Sequence, residues 1–125
     1  LRQDIQQEIL RLDNEKALRE TRPITEAKRY IQQHYQESLR LEDVSSAVGF
    51  NATYFSALFK KETGQNFMDY LTGLRINKSK ELLCDDKLSV QDVAELVGYR
   101  DLKYFSRLFK KTTGVSPSDY KKLYR

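Results

Sequence analysis

The eleven residues Tyr54 to Gly64, YFSALFKKETG, return fifty positions later as Tyr104 to Gly114, YFSRLFKKTTG, changed only where Ala57 becomes Arg107 and Glu62 becomes Thr112. Upstream, Asp43-Val44 and Val48-Gly49-Phe50 reappear as Asp92-Val93 and Val97-Gly98-Tyr99 at a spacing of forty-nine. Downstream, Asp69-Tyr70 reappears as Asp119-Tyr120 at fifty. One extra residue therefore enters the second copy just after its glycine, and Arg100 is the natural candidate. Solenoids need about three or more copies to bury their faces. Two copies point instead to the duplication of a small module.

Each copy reads as a capped helix. Phe55, Leu58, Phe59 and Glu62 share one face, with Thr53, Ser56, Ala57 and Lys60 opposite. In the second copy Phe105, Leu108 and Phe109 turn inward while Lys103, Ser106, Arg107 and Lys110 point out. Asn51 and Asp101 stand where an N-cap oxygen accepts the first free N–H groups, and Gly64 and Gly114 supply a left-handed stop. The phenylalanines, with Phe50 and Tyr99, lie opposite the polar front and read as core.

Before each helix comes a shorter one, Leu41 to Val48 and Val90 to Val97, closed by Gly49 and Gly98. Ser89 with Asp92 forms a capping-box pattern, whereas Arg40 holds the matching position without a suitable oxygen. A short helix, a glycine turn and a capped helix make a helix-turn-helix, whose second helix enters the DNA major groove. Periodicity alone fits a simple packing hairpin equally well.

The pattern Asp-Val-x-x-x-Val-Gly-aromatic followed by Tyr-Phe-Ser-x-Leu-Phe-Lys-Lys-x-Thr-Gly, twice, closing on Ser116-Pro117-Ser118-Asp119-Tyr120, resembles the AraC/XylS family of bacterial transcription regulators over roughly Pro23 to Arg125. The resemblance implies an all-α fold of about seven helices plus an N-terminal extension helix. Two helix-turn-helix subdomains, 23–65 and 85–125, are joined by a connecting helix, 66–84, and read adjacent major grooves of double-stranded DNA. Carried over residue by residue, it places Thr53, Ser56 and Ala57, and Leu102, Lys103, Ser106 and Arg107, against base edges. It also implies activation of transcription through contact with RNA polymerase. Ala57 departs from the arginine common at its position and offers only apolar contact, which puts base reading by the first module in doubt.

Arg107 is the strongest base-reading candidate, since a guanidinium fork matches guanine O6 and N7; the alternative is a salt bridge. Lys103 suits a base or a phosphate. Phosphate contacts are expected from Asn51, Tyr54, Lys60, Lys61, Arg100, Tyr104, Lys110 and Lys111. The lysine pairs also suit helix C-termini, where a cation meets the dipole. From Arg100 to Arg125 there are eight Lys or Arg against two Asp, the concentration expected of a phosphate-binding region. Lys121, Lys122 and Arg125 read equally as a solvated tail.

The connecting helix, nineteen residues from Asn66 to Cys84, spans roughly 28 Å, close to the ~34 Å between major grooves one turn apart. Its expected apolar stripe is Phe67, Tyr70, Leu71, Leu74, Asn77 or Lys78, and Leu82, and Gly73 within it suggests close helix packing. A first packed helix is expected over about 23–36, carrying Ile24, Ala27, Ile31, His34 and Tyr35, with His34 a packing or hydrogen-bonding residue rather than a metal ligand. Pro23 restricts Arg22 to extended geometry and marks a boundary. Residues 1–22 form a linker or signalling helix with Ile5, Ile9 and Leu12 as a strip that could also be a homodimer seam.

With one histidine and one cysteine in 125 residues, no nucleophile–base pair, clustered metal ligands or phosphate loop can be assembled, so an enzyme, a metal and a cofactor are not expected. The lone Cys84 fits a reducing cytoplasm, and no apolar run reaches membrane-spanning length. Leu1 is not an initiator methionine, so an upstream sensory domain, a two-component receiver or a ligand-binding domain, is expected to be missing. The competing function is a protein-interaction module of a signalling protein.

Overall fold

The computed structural model describes residues 22–124, among which lie seven helices and no strand. Helix α1 covers 22–34. It is followed by α2 (Leu41–Ala47), α3 (Ala52–Thr63), α4 (Phe67–Leu83), α5 (Val90–Leu96), α6 (Leu102–Thr113) and α7 (Pro117–Tyr124). The expected helix over residues 1–21 lies outside the described residues. Arg22 is already helical and pairs with Glu26 at 3.4 Å; a following proline disfavours the α region without closing it. Tyr35 and Gln36, expected in α1, form the turn after it. His34 bonds the Glu37 carboxylate and stacks on Tyr30 at 4.2 Å between centroids.

Two apolar cores form. Ile24, Ala27 and Ile31 of α1 meet Leu39, Val44, Phe55, Phe59, Phe67 and Leu71 in the first. Ile76 and Leu83 of α4 meet Val93, Ala94, Val97, Tyr99, Phe105 and Phe109 in the second. Phe55, Phe59, Phe105 and Phe109 are fully buried, each contributing about 1.5–3 kcal/mol over an exposed position. The repeated Asp-Tyr pair now has a structural meaning. Tyr70 sets its ring edge-on to Phe59 at 5.2 Å, and Tyr120 does the same to Phe109 at 5.4 Å. The start of α4 thus serves the first core as α7 serves the second.

Because α4 packs on two bodies in succession, its buried face rotates along its length. Phe67, Leu71, Arg75, Ile76, Ser79 and Leu83 are buried. Of the expected stripe, Tyr70 and Leu74 pack against the first core and Leu82 against the second, Lys78 is half-buried and only Asn77 is exposed; what the stripe leaves out is Arg75, Ile76, Ser79 and Leu83. Gly73 is not a close-packing site either: a β-carbon there would meet nothing within 4 Å.

The cores meet at a joint built on Arg75 and Tyr35. Tyr35 packs against both cores. The Arg75 Nε donates to the Tyr35 carbonyl and its Nη2 to the Glu37 carbonyl, each at 2.8 Å. Its guanidinium carbon lies 5.1 Å from the centre of the Tyr99 ring.

Candidate nucleic-acid interface

Helices α3 and α6 are set by the same local devices. The Asn51 Oδ1 accepts from the Tyr54 N–H at 2.8 Å, and the Asp101 Oδ1 from the Tyr104 N–H at 3.1 Å. In each case the cap residue is extended. Gly64 and Gly114 end the helices at φ 77° and 89°. Before them the Thr63 and Thr113 hydroxyls donate to the Phe59 and Phe109 carbonyls, both at 2.8 Å.

The short preceding helices differ in their start. Ser89 and Asp92 exchange bonds, Ser89 N–H to the carboxylate at 2.9 Å and Asp92 N–H to the hydroxyl at 3.0 Å, which lowers the Asp92 pKa. At α2 only half of that exchange exists: Asp43 accepts the Arg40 N–H at 2.9 Å. Gly49 and Gly98 make the turns at φ 82° and 103°. Arg100 is the extra residue, an exposed bend between Tyr99 and the cap Asp101.

The outward faces carry the expected residues. Thr53 and Ala57 are exposed and Ser56 half-buried; with Lys60 they border a shallow groove shared with Leu41, Glu42 and Ala52. On α6, Leu102, Lys103 and Arg107 are exposed and Ser106 half-buried. Among the described residues Arg107 has no ion pair, and neither have Lys103, Arg100 or the lysines at 60, 61, 110 and 111. Tyr54 and Tyr104 are half-exposed, their rings resting on Phe50 and Tyr99 at 5.4 and 5.8 Å.

Lys121 departs from the reading of the C-terminal cations as a phosphate-facing cluster or a free tail. Its ammonium donates to the carbonyls of Asp85 and Leu88 at 2.8 Å and of Leu83 at 3.4 Å, closing the end of α4. Arg75 is the residue that the sequence reading missed altogether. The signal for it was a run at every fourth position, Phe67, Leu71, Arg75, Ser79 and Leu83, all buried.

A family model described as a helix-turn-helix domain matches residues 44–123. The regulatory protein PocR of Salmonella typhimurium is 38% identical over 96 residues, 77% of this chain and 32% of that protein, so the chain spans about a third of the relative's length. The C-terminal domain of AraT, a response regulator from Geobacillus stearothermophilus, superposes with a TM-score of 0.77 at 38% identity, over 81% of this chain and 84% of that one. The DNA-binding domain of AdpA, a global transcriptional factor solved with a target DNA, gives 0.78 at 25% identity, covering 82% and 93%. With the duplicated, equivalently capped helices and this shared frame, the chain belongs to the AraC/XylS family of transcription regulators as an AraC-type helix-turn-helix domain.

Proposed function

We propose that this domain binds double-stranded DNA sequence-specifically, with α3 and α6 in adjacent major grooves, and so activates bacterial transcription. The observation that carries this reading is the pair of helices with equivalent Asn51 and Asp101 caps, two buried phenylalanines each and a glycine stop, each turning outward a polar face that makes no ion pair among the described residues. Support comes from the frame shared with the AdpA domain. The seventeen residues of α4 span roughly 25 Å, short of but near the ~34 Å groove repeat.

Residues 23–65 and 85–125 act as the two reading modules and 66–84 as the connector, with 1–22 leading in. Arg107 and Lys103 read bases on α6, flanked by Leu102 and Ser106. Thr53, Ser56 and Ala57 give the first module short-range contacts that favour shape and position over sequence. Asn51, Tyr54, Lys60, Lys61, Arg100, Tyr104, Lys110 and Lys111 hold phosphates and fix register. The whole protein carries an upstream sensory domain, for which a receiver has the support of AraT being a response regulator. It contacts RNA polymerase, is able to dimerise through the helix over 1–22 or through the upstream domain, works in the cytoplasm and performs no catalysis.

Selection of bound DNA from a random pool, followed by titration at several salt concentrations, tests this. A bipartite site should emerge, with log affinity falling linearly in log salt as counterions leave the phosphates. No enrichment, or binding insensitive to salt, would instead favour a protein-interaction module.

A further inference from the structure

Arg75 is buried to 9% exposure and has no ion pair among the described residues. A charge is retained in such a place only where other groups satisfy it. Here two carbonyls and a ring do so. Nε and Nη2 lie on one edge of the planar guanidinium, so a single rigid fork takes the Tyr35 and Glu37 carbonyls together, each at 2.8 Å. Both carbonyls belong to the segment that follows α1, beside the first core. The ring above the guanidinium is Tyr99, in the turn that launches α6. Gly98, one residue earlier, approaches so closely that a β-carbon would lie 3.0 Å from the Tyr35 carbonyl oxygen. Tyr99 in turn packs on Tyr104 and Phe105 of α6 at 5.8 and 5.7 Å. A continuous set of contacts therefore runs from the first module, through one side chain on α4, to the first turn of the second reading helix.

We infer that Arg75 is a positioning residue that fixes the angle and offset between the two modules, and thereby the half-site spacing the domain accepts. This rests on the DNA reading above. One inserted base pair moves the second half-site by about 3.4 Å and turns it by roughly 35°. A stiff joint cannot follow that change, whereas a loose one follows it at the cost of weaker binding at the preferred spacing. Lysine cannot replace the fork, because a single ammonium does not hold two carbonyls in one plane.

The test uses the bipartite site selected by the wild-type domain and the same site with one base pair added between its halves. The wild type should bind the unaltered site at least about tenfold more tightly than the lengthened one, and Arg75→Met should narrow that ratio to about threefold or less. The narrowing should come from loss at the preferred spacing, with affinity for each isolated half-site unchanged. A generally destabilised domain would lose affinity for the two bipartite sites and both half-sites alike and keep the ratio. Should Arg75→Met fail to fold, Arg75→Lys and Tyr99→Leu are read in the same way. A folded variant that keeps the wild-type ratio overturns the inference. Failure of the wild type to select any DNA would overturn the DNA reading itself and this inference with it.

Discussion

Gly98 and Arg75 leave each other no spare room: a β-carbon on the glycine would sit 3.1 Å from the guanidinium carbon. At the corresponding Gly49 the same atom would touch nothing within 4 Å. Both backbones have positive φ, 103° and 82°, so alanine is strained at either. Gly49→Ala should therefore cost only the backbone term, roughly 1–2 kcal/mol. Gly98→Ala should cost a further 1–3 kcal/mol, roughly, for overpacking. Equal losses in urea unfolding would show that the joint yields freely.

Lysines 121 and 111 should separate cleanly. Lys121→Met removes a donor shared by three carbonyls and should lower stability by about 1–3 kcal/mol, leaving the salt dependence of DNA binding unchanged. Lys111, exposed in the last turn of α6, should behave in the opposite way. Lys111→Ala should weaken binding to all sequences alike and reduce the salt slope by about one. An unchanged slope would make Lys111 a helix-end residue only.

Arg107→Ala should relax preference at one or two base pairs and cost about 1–3 kcal/mol on the selected site. Affinity measured across a library of single base-pair changes checks this. Unaltered discrimination would take Arg107 out of the base-reading set.

Gly73 stands inside α4 with open space where a side chain would go. Gly73→Ala should therefore stabilise the domain by about 0.5–1 kcal/mol, measured by thermal or urea unfolding. A loss of stability would show that the glycine answers to a contact beyond the described residues.

Acid should act partly through Asp92. Bonds from the Ser89 backbone N–H and then its hydroxyl hold this carboxyl below its ordinary 3.8. A depressed folded-state pKa contributes stability that is present above 3.8 and lost as the pH falls below it through the folded value. Asp92→Asn should be less stable than wild type at neutral pH and lose less on acidification to about pH 2. Parallel stability curves for the two proteins would exclude the linkage.

The features legible in the sequence were those decided within a few residues. Asn51, Ser89 and Asp101 cap because their oxygens reach the N–H three positions on, and Gly64 and Gly114 stop because they alone adopt the left-handed turn cheaply. What escaped was decided by partners far along the chain. Arg75 gives no local signal of its role, because the Tyr35 and Glu37 carbonyls that hold it lie 40 and 38 residues earlier. Lys121 reads as a tail for the same reason. A single periodicity on α4 reaches Leu82, which packs on the second core, but passes over the buried Arg75, Ile76, Ser79 and Leu83, because the helix changes partners midway. For the outward faces of α3 and α6, sequence indicates which side chains point out, and the fold adds that no acid among the described residues pairs with Arg107.

Half-buried Tyr35 packs against both apolar interiors, and that shared contact constrains how the duplicated halves have been able to diverge. A substitution accommodated where this side chain meets one interior must also suit its contacts with the other. The two copies are thus no longer free to drift as separate inheritances, even though their reading helices have already parted at Ala57 and Arg107.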